Sequence, residues 1–356
     1  MKKKVLAALS GGVDSAAAAL FLLQSGYDVS GITMKLYDPS CNVPDSDEVT
    51  EVNQDILDAK SICDTLGIGH MTVALGESFR KNVIDSFADE YKNGGTPNPC
   101  VECNRTIKFG KLLDIATKNG FDKLATGHYA RIEQTNDGRY ILKKALDESK
   151  DQSYFLWSLT SEQLSKVLFP LGNMQKSEIR KVAAEHGFVN AHKSDSQDIC
   201  FIKDTDYASF IKCYTGCDFP CGNFVDLDGN ILGKHSGIIN YTVGQRKGLG
   251  IALGKPAFVH SKNVYENTVT LCEDKELYSK TLTASKINLS AVDSIKSPTK
   301  LYAKIRYRHT PALATVIQTS DSTLSVEFDE PQRAIARGQS LVLYDKDTVV
   351  GGGIID

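Results

Sequence analysis

No stretch of this chain approaches the roughly 18 to 20 consecutive apolar residues that a membrane-spanning helix needs, which argues against an integral helical membrane protein. A secretory signal is imitated but not completed. Lys2, Lys3 and Lys4 precede an apolar run, Val5 to Leu9, that stops after five residues at Ser10-Gly11-Gly12. A signal core needs roughly 7 to 15, so the run reads as a first strand and the chain as cytoplasmic. Low-complexity bias is missing: 28 glycines and 10 prolines in 356 residues, with 41% hydrophobic and 24% charged, is a globular composition. That length implies two or three domains with ample core. Strong net charge is lacking too. A balance of -3 argues against indiscriminate binding to polyanions but leaves room for a local basic patch. Nine cysteines, an odd count without a secretory signal, fit thiol chemistry, metal chemistry or packing better than a disulfide framework.

The first half alternates short apolar runs with amphipathic segments, the pattern of a parallel sheet covered on both faces. Strands are expected at Val5 to Leu9, Tyr27 to Lys35, His70 to Leu75 and ending at Ala125-Thr126-Gly127. Helices are expected at Asp14 to Gln24, Asp55 to Leu66, Phe79 to Tyr91 and Arg105 to Lys118, with a polar stretch from Leu36 to Asn53 and a loop from Lys92 to Cys103. A hairpin around Asn136-Asp137-Gly138 and helices near Ser161 to Val167, Ser177 to His186 and Asp206 to Tyr214 follow. From Gly216 onward, Gly, Pro and Asp-Gly turns punctuate short strands. The expected organisation is an α/β domain over 1–205, a central β-rich domain over 206–275 and a C-terminal β-barrel-like domain over 276–356, the charged break Glu273 to Lys280 separating the last two.

Ser10-Gly11-Gly12-Val13-Asp14-Ser15 lies between an apolar strand and an alanine-rich helix. A glycine-rich turn at a helix N-terminus presents backbone N–H groups to an anion, and the Ser10 and Ser15 hydroxyls add donors. No Lys follows the glycines, so the Walker A pattern fails. Read by itself the segment is either such an anion loop or a tight βα turn with Asp14 or Ser15 as a helix cap. The motif in this context resembles the pyrophosphate loop of ATP pyrophosphatases, which cleave ATP to AMP and pyrophosphate and activate a substrate oxygen as its adenylate.

Two cysteine segments carry the second signal. In Asn98-Pro99-Cys100-Val101-Glu102-Cys103-Asn104 a Cys lies beside an expected helix N-terminus, whose dipole favours a thiolate, making Cys103 a candidate nucleophile. Ser196-Gln197-Asp198-Ile199-Cys200-Phe201 ends the α/β region. Two buried structural thiols are the competing reading of the residues alone. With Thr96-Pro97-Asn98-Pro99, Ile107-Lys108-Phe109, Thr126-Gly127-His128-Tyr129, Lys150-Asp151-Gln152-Ser153-Tyr154-Phe155-Leu156, Gly244-Gln245-Arg246-Lys247-Gly248-Leu249-Gly250, Arg306-Tyr307-Arg308, Phe328-Asp329-Glu330-Pro331 and Gly351-Gly352-Gly353-Ile354 in the same order, the whole chain resembles the bacterial tRNA-specific 2-thiouridylase family.

What the resemblance implies is specific. The fold would be a Rossmann-like doubly wound parallel sheet of the pyrophosphate-loop type, followed by two small β-rich, barrel-like domains. ATP with Mg2+ would adenylate the carbon-2 oxygen of the wobble uridine in the tRNAs for Glu, Gln and Lys, and a persulfide would supply sulfur, making this a tRNA-uridine 2-sulfurtransferase. Cys200 would hold the persulfide, received from a sulfur-carrier protein or cysteine desulfurase. Cys103 would attack it, the pair ending as a disulfide that must be reduced. Ala8, Leu9, Ser10, Gly11, Gly12, Val13, Asp14, Ser15, Met34 and Gly127 would hold the nucleotide. Asn98, His128, Lys150, Asp151, Gln152, Arg306, Tyr307 and Gln339 would meet tRNA. Many relatives carry Asp where this chain has Cys100, so a base role for that Asp is absent here, and Cys100, Cys103 and Cys200 would offer three thiolates to an iron-sulfur cluster. An ATP pyrophosphatase acting on a small molecule is the alternative.

The remaining signals are weaker. Lys296, Lys300, Lys304, Arg306, Arg308 and His309 share a segment with Tyr302 and Tyr307 and no acidic residue, a pattern suited either to RNA or to a solvated edge strand. Cys213, Cys217 and Cys221 are spaced by four across an expected helix end, without a further Cys or His to complete a metal site. Cys41, Cys63 and Cys272 read as structural.

Overall fold

Residues that are apolar on both faces of the pleat build the centre of the first sheet: Val5, Leu6 and Ala7 of β1 (Lys4–Ala8) are almost fully buried, as parallel strands covered on both sides must be. The computed structural model describes residues 2–36, 54–188, 199–202 and 206–356. The expected polar stretch beyond Leu36, Cys41 and the segment Ser196-Gln197-Asp198 lie outside those residues. After β1 come helix α1 (Val13–Gln24), β2 (Asp28–Lys35), helix α2 (Gln54–Leu66) and β3 (His70–Ala74). The chain then returns through 76–92 and 99–118 to β4 (Lys123–Ala125) on the other side of β1. With β7 (Val167–Leu168) the order is β3-β2-β1-β4-β7, every pairing parallel. The order reverses between β1 and β4, so the crevice beyond their C-terminal ends is where a doubly wound sheet receives a ligand. Ser10 to Ser15 and Thr126 to His128 both occupy it.

The hairpin expected around Asn136-Asp137-Gly138 forms from β5 (Arg131–Gln134) and β6 (Tyr140–Lys143), but its partner is unforeseen. β6 pairs with the last strand of the chain, so an element from the first half extends the C-terminal sheet. Between them, β8 (Gly222–Val225), β9 (Ile231–His235), β10 (Phe258–Asn263) and β11 (Thr268–Cys272) form a four-stranded sheet in the order β10-β11-β8-β9. Asp226 makes the β8–β9 turn by accepting from the amides of Asp228 and Asn230 at 3.0 and 2.8 Å. The last six strands, β12 (Tyr278–Asn288), β13 (Thr299–Lys304), β14 (Ala312–Ser320), β15 (Thr323–Arg333), β16 (Ser340–Asp345) and β17 (Thr348–Ile355), close on themselves through a β12–β17 pairing. Closure removes the exposed edges that a sheet of this length would otherwise present.

Two apolar clusters tie these sheets together. Leu112, Leu124, Tyr154 and Trp157 pack with Val342, Tyr344 and Val349 of the barrel, while Phe79, Phe87 and Ile107 pack with Phe210, Phe224, Ile238 and Val259 of the central region. Direct bonds fix the registration: Trp157 Nε1 donates to Ser340 Oγ at 3.0 Å, Tyr154 Oη to Ser340 O at 2.9 Å, and Gln339 Nε2 to Thr96 O at 2.7 Å.

Candidate active site

The pyrophosphate-loop segment closes around its own hydroxyls. Ser15 Oγ donates to Gly12 O at 2.9 Å and accepts from the Ser10 amide at 3.2 Å. No side chain caps α1, and the amides of a first helical turn lack partners within the helix, so an anion is the natural complement of this end. Gly11 is obligatory: its φ is +69°, and a Cβ there would stand 2.8 Å from Asp55 O at the start of α2. Gly127, just past β4, is obligatory for contact, because a Cβ would lie 2.9 Å from both Asp14 C and Ser15 N. The end of β4 therefore approaches the backbone of the first turn of α1 across the crevice. Ala8 and Met34 are partly buried nearby, and the Leu9 amide donates to Ile32 O at 2.8 Å, which continues the β1–β2 register into the loop.

Asp14 does not cap the helix. Lys176 Nζ donates to both its carboxylate oxygens, at 2.7 and 2.8 Å, and Tyr129 Oη donates to Oδ1 at 2.8 Å. Lys176 is in turn set by Asp147, which accepts its amide at 3.0 Å. Sequence reading missed Lys176; nothing in Met174-Gln175-Lys176 marks it, since its partner is 162 residues away.

The cysteines depart from expectation in their helical position and in protonation. The expected loop from Lys92 to Cys103 is partly helical, beginning at Pro99 with Asn98 at the N-cap and continuing as a π-helical stretch over Cys103–Leu112. Cys103 thus sits a turn inside the helix rather than at its end. It is buried, and desolvation pushes its thiol up to about 12, with Lys108 pulling the other way and Cys200 and Cys100 adding to the rise. The expected dipole-favoured thiolate is outweighed in this conformation. Cys100 keeps an exposed surface, yet the protein around it also raises its thiol, against Lys108. Cys200 is exposed at a turn closed by Ile202 N to Ile199 O at 2.9 Å. Phe201 anchors that turn, its ring 5.8, 5.4 and 5.3 Å from Phe79, Phe87 and Phe210. Among the described residues no three His, Cys, Asp or Glu side chains are gathered as a metal-binding set, so neither Cys100, Cys103 and Cys200 nor Cys213, Cys217 and Cys221 are brought together as one in this conformation. Cys63 and Cys272 are buried, both thiols pushed up to about 11 by desolvation.

Known proteins match this arrangement along its whole length. The family model described as tRNA methyl transferase HUP domain matches residues 3–204, that of the tRNA methyl transferase PRC-barrel domain 208–273, and that of the aminomethyltransferase beta-barrel domain 279–355. The tRNA-specific 2-thiouridylase MnmA of Clostridioides difficile (strain 630) is 46% identical over 363 residues, covering 100% of this chain and 99% of its own. The protein of the same name from Acetivibrio thermocellus is 48% identical over 362 residues, covering 99% of each chain. The chain belongs to the tRNA-specific 2-thiouridylase family.

Most of the residues expected to meet tRNA are engaged with the protein itself. Asp151 accepts from the Ala145 amide at 2.9 Å and from Ser153 Oγ at 2.8 Å; Gln152 exchanges bonds with the backbone of Tyr129, 3.0 and 2.8 Å. Lys150 is half-buried in the same turn, and Asn98 stands at the N-cap position of the segment carrying Cys100, its side chain making no cap bond. His128 Nδ1 is 2.7 Å from Thr126 Oγ1, and burial, reinforced by Lys108, holds its pKa well below the usual imidazole range. In the barrel, β13 ends at Lys304, so Arg306, Tyr307, Arg308 and His309 belong to the turn after it. β13 also lies between β14 and β16, not at an edge as one reading of the basic run supposed. Arg306 donates to Ala334 O, and the Tyr307 ring lies 4.4 Å from that of Phe155. Gln339 holds Thr96, just ahead of the cysteine helix.

Proposed function

We propose that this chain is an ATP-dependent tRNA 2-thiouridylase in which Cys200 carries the incoming sulfur and Cys103 resolves it. The observation that carries this reading is an exposed Cys200 thiol near enough to a buried Cys103 thiol to act on it electrostatically: a donor protein can reach Cys200, while Cys103 is shielded from solvent oxidants. ATP would lay its phosphates on the Ser10 to Ser15 loop, with Mg2+ held through phosphates and water rather than by a protein cage. The wobble uridine oxygen attacks the α-phosphorus and pyrophosphate leaves. The terminal sulfur of the Cys200 persulfide then bonds to carbon 2, the Cys103 thiolate displaces it by forming a disulfide with the inner Cys200 sulfur, and AMP departs with the former carbonyl oxygen. An external thiol returns two electrons to the disulfide. Adenylation makes this feasible because AMP leaves far more readily than oxide.

The basic turn Arg306 to His309 and the 96–103 segment would face tRNA for Glu, Gln and Lys, with a sulfur carrier or desulfurase as the second partner. A small-molecule pyrophosphatase would require neither the paired thiols nor a barrel joined to the Thr96 loop. Purified Cys200→Ser is expected to form AMP with tRNA and ATP but no 2-thiouridine, and Cys103→Ser to accumulate persulfide on Cys200, both read by mass spectrometry of nucleosides and peptides. Thiolation at the wild-type rate in either variant would remove that cysteine from the reaction.

A further inference from the structure

Lys108 stands between the phosphate side of the crevice and the cysteines. Its Nζ is 3.5 Å from His128 Nε2, and the other ring nitrogen faces Thr126 Oγ1. An ammonium only donates, so Nε2 accepts and Nδ1–H donates to the threonine hydroxyl, which fixes a neutral imidazole. The group opposite the ammonium is therefore uncharged. Glu102, the acid just before that helical stretch, is committed to Arg105 at 2.6 Å.

Backbone geometry brings this cation round to the thiols. Lys108 follows Cys103 by five residues. In an α-helix a residue five further on points about 140° away. With i→i+5 hydrogen bonding, roughly 4.4 residues per turn, it returns to within about 50° of the first and shares its face, and that geometry runs over Cys103–Leu112. Gly110 supports the wider turn, since a Cβ there would come 3.1 Å from Arg105 O. Lys108 acts on the thiols of both Cys100 and Cys103 in the direction that favours their anions; facing Cys103, Cys200 and Cys100 oppose it.

We propose that Lys108, anchored on neutral His128, is a positioning residue of the sulfur step that favours the anionic form of Cys103, the thiol proton passing to solvent base. This rests on the sulfur-transfer reading above, but its thiol-reactivity test requires neither tRNA nor ATP. Full-length wild type, Lys108→Met and Lys108→Arg are alkylated with iodoacetamide from pH 7 to 10, and the Cys103 and Cys63 peptides are quantified by mass spectrometry. Cys63, buried against the first sheet, reports loosening of the fold.

Raising a thiol's pKa lowers its thiolate fraction at any pH below that pKa. Lys108→Met is thus expected to cut the ratio of Cys103 to Cys63 alkylation rates severalfold, and Lys108→Arg to restore most of it. AMP formation measured separately is expected to persist in Lys108→Met. An unchanged rate ratio overturns the proposal, even if both rates rise together in a loosened protein. So does loss of AMP formation with unaltered Cys103 reactivity, which would make Lys108 a phosphate-binding cation.

Discussion

The Asp14–Lys176 pair offers the sharpest test of how the phosphate loop is held. At 2.7 Å and an effective dielectric near 20, the attraction between unit charges is about 6 kcal/mol before desolvation is subtracted. Removing one partner of a buried pair typically costs about 3 to 5 kcal/mol. Side-chain exposures of 9% for Lys176 and 30% for Asp14 let water compensate part of that on the aspartate side, so Lys176→Met is expected to destabilise by about 2 to 3 kcal/mol. Asp14→Asn, which removes the carboxylate charge facing the ammonium instead, should cost a similar amount. The double variant replaces the ions with a neutral pair of similar shape and keeps the Tyr129 hydroxyl satisfied by the amide oxygen. It should therefore recover about 2 kcal/mol relative to the sum of the singles. Urea denaturation of the three variants followed by tryptophan fluorescence gives the cycle, Trp157 being the chain's one tryptophan. Additivity within about 0.5 kcal/mol would refute the pair as the clamp on this loop.

Ser340→Ala should leave the buried Trp157 N–H without its acceptor and destabilise the docking of barrel on α/β region by about 1 to 3 kcal/mol; a melting curve superimposable on wild type would mean that contact is dispensable. His128 binds fewer protons folded than unfolded, because its folded pKa is depressed. Its contribution is fully present above the unfolded value near 6.5 and is lost as pH falls below it, so His128→Gln should flatten the decline of stability between pH 6.5 and 5.5 by up to about 1.4 kcal/mol per pH unit in urea titrations. An identical slope in the variant would place that proton uptake elsewhere, His70, His235 and His309 being the other histidines with lowered values among the described residues.

Local signals in the sequence were enough to determine the alternation of β1, α1, β2, α2 and β3, the glycine-rich turn between β1 and α1, and the β8–β9 turn at Asp226. Each is written in neighbours: apolar runs of strand length, glycines where φ must be positive, an Asp that caps its own turn. Cys103 and Cys200 could be singled out from their motifs because thiol chemistry needs that residue type wherever it falls. What no local pattern could supply was the partner across the fold. Lys176 reaches Asp14 from 162 residues away, β6 joins a strand at the far end of the chain, and the barrel turn at Gln339 grips Thr96. Protonation followed the same division. A dipole argument from sequence favoured the Cys103 thiolate, but burial is a property of the packed molecule, and desolvation there exceeds the pull of Lys108. The π-helical stretch that turns Lys108 toward that thiol was invisible for the same reason: its wider turn is stable only where side chains from β4, the 153–157 turn and the central sheet pack around it, so tertiary contacts and not helix propensity decided it.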